Sequence, residues 1–187
     1  MLQSNTNKVN LENIILTPDE KKKRVYVQNV KKWIQLYQWD YFLTLTFKHP
    51  VFDEIKVSNT IKKFLDYLSA EAFGKRSKKR VIAFSTIENG TYDKSLHAHM
   101  LIQDPTHNIL TGERRDSFNL RNAIITSWMK ASPSAGNPAL TGSDREWMKK
   151  VLDIEECIGY MLKQVDLNLN SFIPWDQLSL TGKKLLE

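Results

Sequence analysis

The chain has 187 residues, 41% hydrophobic and 26% charged, with a formal net charge of +6. That length can bury one core, and the basic balance points to a polyanionic partner, nucleic acid or anionic membrane, without choosing between them. The one cysteine, Cys157, excludes an internal disulfide and a four-cysteine zinc site and fits a reducing compartment. No apolar run approaches a membrane span, and the first residues lack the pattern of a secretory signal, so a cytoplasmic protein is expected.

Residues 1–17 are polar apart from a patch at Leu11 to Leu16 and read as an arm ahead of a single domain, 18–187. Thr17-Pro18-Asp19-Glu20 is a helix start: a capping hydroxyl, a proline suited to the first helical position and two acids near the positive end of the dipole. The helix is expected to run to about Leu36, with Val27, Val30, Trp33 and Ile34 inward and a basic outer face. Tyr41 to Phe47 (YFLTLTF) alternates and is rich in aromatic and β-branched residues, which predicts a strand. Phe42, Thr44 and Thr46 share one face; Tyr41, Leu43, Leu45 and Phe47 share the other. Residues 53–73 repeat apolar side chains at threes and fours (Ile55, Val57, Ile61, Phe64, Leu65, Leu68, Phe73), predicting an amphipathic helix closed by Gly74.

Lys75, Arg76, Lys78, Lys79 and Arg80 crowd the connector that follows, a candidate for phosphate contact. Val81 to Glu88 predicts a strand ending in an acid, and Asn89-Gly90 begins the tip of a hairpin. Its second arm is Leu96 to Ile102, LHAHMLI. On a strand, His97 and His99 project from one face, near enough to share a metal ion, while Leu96, Ala98, Met100 and Ile102 face a core. The hairpin brings Glu88 toward both histidines.

Residues 103–116 read as a polar loop carrying His107, Arg114 and Arg115, the two arginines being further candidates for DNA contact. Phe118 to about Ala131 predicts a helix with Leu120, Ile124, Ile125 and Trp128 inward. A loop over 132–138 follows. Arg145 to Leu152 is expected to be a strand, paired with a short strand near 139–142 or with a central strand. Asp153 caps a last helix from Ile154 to about Val165, carrying Tyr160 and Lys163; the tail is mixed. The order of elements predicts an α+β domain, helices packed on a central antiparallel sheet.

The YFLTLTF strand, the His97-Ala98-His99 pair with Glu88 on a hairpin, and Tyr160-Met161-Leu162-Lys163 on a later helix resemble, in order and spacing, the HUH endonucleases of the rolling-circle replication initiator type. The resemblance covers about residues 41–165. It implies a ferredoxin- or RRM-like sheet. It also implies a divalent ion, Mn²⁺ or Mg²⁺, held by His97, His99 and Glu88, with Tyr160 as nucleophile and Lys163 as its helper. The residue types suit that chemistry: a Lewis acid on the phosphate oxygens, and a tyrosine, weakly nucleophilic when free, that forms a covalent intermediate. The implied partner is single-stranded DNA or a melted origin hairpin. No G-x-x-x-x-G-K-S/T is present, so helicase and polymerase are expected to be separate host proteins. Two other readings stand beside this one: a single-strand transposase on the same active site, and a non-catalytic RRM-like nucleic-acid-binding module. The five tryptophans are expected mainly in the core.

Overall fold

The computed structural model describes residues 17–90, 95–109, 112–141, 146–163 and 173–174. Helix α1, Pro18–Gln35, starts as expected: Thr17 and Glu20 form a reciprocal capping box. It buries Val30 and Ile34. Strand β1 is Tyr41–Leu45, shorter than the run to Phe47, which makes only an isolated bridge to Ala135. Helix α2, Glu54–Phe73, is capped by the Asp53 side chain and leaves the helix at Gly74, whose φ of 92° suits glycine.

Strands β2, Ala83–Asn89, and β3, Leu96–Ile102, form the hairpin. A 3₁₀ turn at Pro105–Asn108 and helix α3, Glu113–Ser117, lie within the segment expected to be plain loop. Helix α4, Leu120–Ala131, begins at the Asn119 cap, two residues after the expected Phe118. Of the strand expected over 145–152, Arg145 lies outside the described residues and the rest forms a strand only at β4, Met148–Lys150. Its partner is β1, since residues Pro138–Thr141 form a helical turn, α5, where a pairing strand was an alternative. Helix α6, Ile154–Leu162, follows the Asp153 cap. The arm and most of the tail, with Tyr92 and Trp175, lie outside the described residues.

Among the described residues the sheet has four antiparallel-paired strands in the order β2-β3-β1-β4. With α2 joining β1 to β2 and α4 joining β3 to β4, the path is the split β-α-β arrangement of ferredoxin-like domains. One sheet face carries Leu43, Leu45, Ala83, Ile87, Leu96, Ala98, Met100 and Ile102 against α2 and α4, with Trp128 fully buried in that core. The other face packs Phe84 and Leu101 under α1 and α6, through Ile34, Ile158 and Met161. Ile55, expected inward on α2, is 74% exposed. It lies in the first turn, beyond the edge of the core that Val57 reaches. Trp39, Trp128 and Trp147 are buried and Trp33 is half-buried, so the described tryptophans serve the cores.

Candidate metal centre and active site

The strand registers assemble the site. Glu88 lies opposite His97, and Thr86 opposite His99, across the β2–β3 pair. On its other side His99 lies opposite Thr44 of β1. Directly opposed residues share a sheet face, so these five side chains meet on the face that α1 and α6 cover only in part. The same alternation sends Ala98 and Met100 into the opposite core.

Within the group, Glu88 Oε2 stands 2.8 Å from His99 Nε2 and 3.9 Å from His97 Nε2. One ligand atom from each of Glu88, His97 and His99 can be chosen so that all lie within 4.8 Å of one another. The two imidazoles are nearly perpendicular, with centroids 4.9 Å apart. His99 is 1% exposed and Glu88 7%. Burial, and then the neighbouring His99, hold His97 below the ordinary histidine range, which favours the neutral, metal-ligating form.

Two further observations fit a cation here. His99 Nδ1 lies 3.3 Å from Thr44 Oγ1. A proton on Nδ1, donated to that hydroxyl, leaves the Nε2 lone pair for a metal. His99 Nε2 makes no directed hydrogen bond despite its short approach to the carboxylate, and Thr86 Oγ1 beside it is also without a partner. Two lone pairs at that separation repel unless a proton or a cation lies between them. Glu88, His97 and His99 thus form a buried nitrogen-and-oxygen set that can hold a metal ion, with one carboxylate and two imidazoles.

The helix α6 adds the other half. Asp153 Oδ1 accepts from Glu155 N at 2.8 Å and Glu156 N at 3.2 Å, anchoring the helix start. Two turns on, the Tyr160 ring meets His99 edge to face at 4.9 Å and Phe42 at 5.9 Å. Phe42 in turn stacks on His99 at 5.4 Å. Tyr160 stays 38% exposed. Lys163, one turn further, places Nζ 3.6 Å from the Tyr160 ring centroid and 2.8 Å from Glu88 Oε1. Burial tends to raise the Glu88 carboxyl, but the contacts of His99 and Lys163 outweigh it and hold the group below the ordinary value. Burial opposes the Lys163 charge, and the Glu88 contact overcomes it, so the ammonium is held more firmly than usual. The Tyr160 ring, the Lys163 ammonium and the Glu88, His97 and His99 group that could hold a metal ion therefore form one continuous cluster.

The basic candidates lie elsewhere. The connector precedes β2, and about 17 Å of strand separates Ala83 from Glu88. Lys79 donates to the Asn108 carbonyl, and Arg80 is ion-paired with Asp66. Lys75, Arg76, Lys78, Lys79 and Arg80 thus mark the end of the sheet away from the Glu88 end of β2. Arg114 and Arg115 lie on α3, after the 3₁₀ turn that Lys79 touches. His107 is exposed. Sequence reasoning put Phe42 and Thr44 on one face but gave them no role; their places against His99 follow from the β1–β3 register, which alternation alone does not fix. The Lys163–Glu88 ion pair had no sequence signal beyond the spacing of Lys163 from Tyr160.

No helix among the described residues is long and apolar enough to cross a membrane. No protein-family model, curated protein or solved structure matches this chain.

Proposed function

We propose that this chain is a metal-dependent single-tyrosine endonuclease and strand transferase acting on single-stranded DNA, of the HUH replication-initiator kind. The observation that carries the reading is the packing of Tyr160 on His99, with Lys163 linking Tyr160 to Glu88. Residues about sixty positions apart in the chain meet with the groups a phosphoryl transfer requires: nucleophile, fixed positive charge and metal ligands.

In this reading Tyr160 Oη attacks the scissile phosphorus. The P–O3′ bond breaks as the Oη–P bond forms, leaving a 3′-hydroxyl and a 5′-phosphotyrosine. Attack by a 3′-hydroxyl on that phosphotyrosine reverses the step and rejoins a strand. A divalent ion on Glu88, His97 and His99, Mn²⁺ or Mg²⁺, would supply Lewis-acid polarisation of the phosphate. Lys163 offsets charge on the phenolate and the phosphoryl oxygens. Phe42 holds the His99 and Tyr160 rings in register. The +6 net charge suits a polyanionic substrate, and the basic end around Lys75–Arg80 would extend the contact with the DNA backbone. The role that follows is nicking an origin to start rolling-circle replication inside a cell, with a separate helicase and polymerase.

The test is formation of a covalent adduct. Protein is mixed with a single-stranded oligonucleotide library and Mn²⁺, then resolved under denaturing conditions. The expected result is a metal-dependent adduct that is lost in Tyr160→Phe. An unchanged adduct in that variant overturns the nucleophile, and no adduct with any library member overturns the enzyme.

A further inference from the structure

Beside Tyr160, on the β4 side, a cleft of about 470 Å³ opens between the sheet and α6. None of Glu88, His97, His99 or Lys163 lines it; the wall it shares with the metal site is Phe42, Thr44 and Tyr160. Its size falls within the range of about 300–1,000 Å³ common for small-molecule sites. We propose that this cleft is a nucleobase subsite, which takes a base of the bound strand next to the phosphate at Tyr160. The inference rests on the reading of the site as a nuclease of single-stranded DNA.

The chemistry of the walls carries the choice. Phe42 and Tyr160 are aromatic, set edge to face at 86°, and can meet a base by stacking or by an edge contact. The rim mixes signs: Lys149 and Lys150 from β4, Glu146 before it, Asp153 at the α6 cap and Glu156 on α6. A phosphate would gain from the two lysines and be repelled by the three carboxylates, so the near-balanced cleft suits a neutral group with donors and acceptors along its edge. Carboxylates accept from exocyclic amino groups, and an ammonium donates to ring nitrogens and carbonyls. The position agrees: Lys149 lies opposite Phe42 in the β1–β4 register, on the same sheet face as the histidines. A strand whose phosphate sits at the metal side of Tyr160 has its neighbouring base within reach of the other side.

The chain supplies its own probe. Cys157, the sole cysteine, is half-buried in the same cleft. Alkylation by iodoacetamide at pH 9 is followed by intact mass, with a random-sequence DNA 12-mer and with an abasic 12-mer of the same backbone. Each is compared at equal fractional saturation, set by fluorescence anisotropy. The expected result is at least fivefold slower alkylation with the base-bearing strand and little change with the abasic strand. Equal protection by both means that backbone covers the cleft, which overturns the nucleobase assignment. No protection by a strand that anisotropy shows to be bound means an open cleft, which also overturns it while leaving the nuclease reading intact. Absence of binding in the anisotropy itself removes the nucleic-acid reading and this inference with it.

Discussion

Replacing Lys163 by methionine separates two effects that the cluster ties together. Lys163 Nζ is 2.8 Å from Glu88 Oε1, while the other carboxylate oxygen faces the histidines. An ion held by Glu88, His97 and His99 must share that carboxylate with an ammonium, and the two positive charges compete. The Lys163 side chain is 40% exposed, so much of the repulsion is screened and the lysine can turn toward solvent. Breaking such a pair costs about 1 kcal/mol, roughly fivefold in a dissociation constant. Glu88 is itself buried, and stripping its partner leaves a carboxylate that seeks a cation more strongly. Lys163→Met therefore tightens Mn²⁺ binding at least about fivefold, measured by calorimetric titration. The metal-free protein loses about 1 kcal/mol of stability in the same variant. The covalent adduct falls, because the charge that stabilises phenolate and phosphate is gone. The methionine keeps the apolar stem near the Tyr160 ring, so packing is largely retained. Weaker Mn²⁺ binding in Lys163→Met would refute the argument: the lysine would then act mainly by holding Glu88 in place for the metal.

Other consequences are as direct. Free Mn²⁺ at about 100 times its dissociation constant stabilises by about 2.7 kcal/mol, a rise of about 5–10 °C in Tm for a chain of this size. Differential scanning calorimetry should show that rise in the native chain, its reversal by EDTA and little of it in His97→Ala. An added Cβ at Gly159 meets nothing within 4 Å, so no protein contact demands glycine in the middle of α6. Gly159→Ala should raise stability by about 0.5–1 kcal/mol, read as a Tm increase of about 2 °C. If the adduct yield falls in that more stable variant, the glycine serves the approach of the DNA backbone beside Tyr160. Burial, and then the carboxylates of Glu156 and Asp153, push the Cys157 thiol up. The thiolate is the reactive form, so alkylation should be slow at pH 8 and climb only above the range of a free thiol, as a stopped-time mass series will show.

The outline of this domain was legible because its patterns are redundant. In LHAHMLI, alternation placed His97 and His99 on one face and Ala98 and Met100 on the other, and both faces turned out packed. Helix α2 was marked twice, by the apolar repeat and by Gly74, and the structure adds the Asp53 cap at its start. Where a single cue stood alone, it misled. Ile55 fits the apolar repeat yet sits in the first turn, past the edge of the sheet it was expected to meet. Residues 145–152 have strand composition, but the ladder with β1 is Met148–Lys150 against Leu43–Tyr41, flanked by single backbone bonds from Thr44 N to the Trp147 carbonyl and from Val151 N to the Asp40 carbonyl. The short helix Pro138–Thr141 replaces a possible edge strand because Asn137 Oδ1 accepts from Ala139 N and starts a turn. Contacts between elements were the least legible. No spacing within the chain says that Lys163 reaches Glu88 or that Phe42 lies on His99; these depend on how α6 and β1 are set against β3.

The cost of burying these groups bears on what they are for. Three buried side-chain polar atoms among the described residues lack a hydrogen-bond partner, and two of them, His99 Nε2 and Thr86 Oγ1, are neighbours on one sheet face. The third, Trp147 Nε1, belongs to the other core, where Arg121 lies over the indole ring. Thr86 Oγ1 and Trp147 Nε1 each cost about 1–3 kcal/mol relative to a satisfied atom, whereas His99 Nε2 faces the Glu88 carboxylate at 2.8 Å and is satisfied once a proton or a cation lies between them. A sheet face that needed only to pack could carry valine at position 86 and an aliphatic residue at 99, as Phe84 and Leu101 do two positions along. Thr86 and His99 instead accompany a carboxylate, a second imidazole and a lysine within contact distance. The folded chain therefore carries a polar cluster whose cost falls when a cation enters, and whose exposed side is the ring of Tyr160. In the proposed reading, that open ring is where a phosphodiester would meet the cluster.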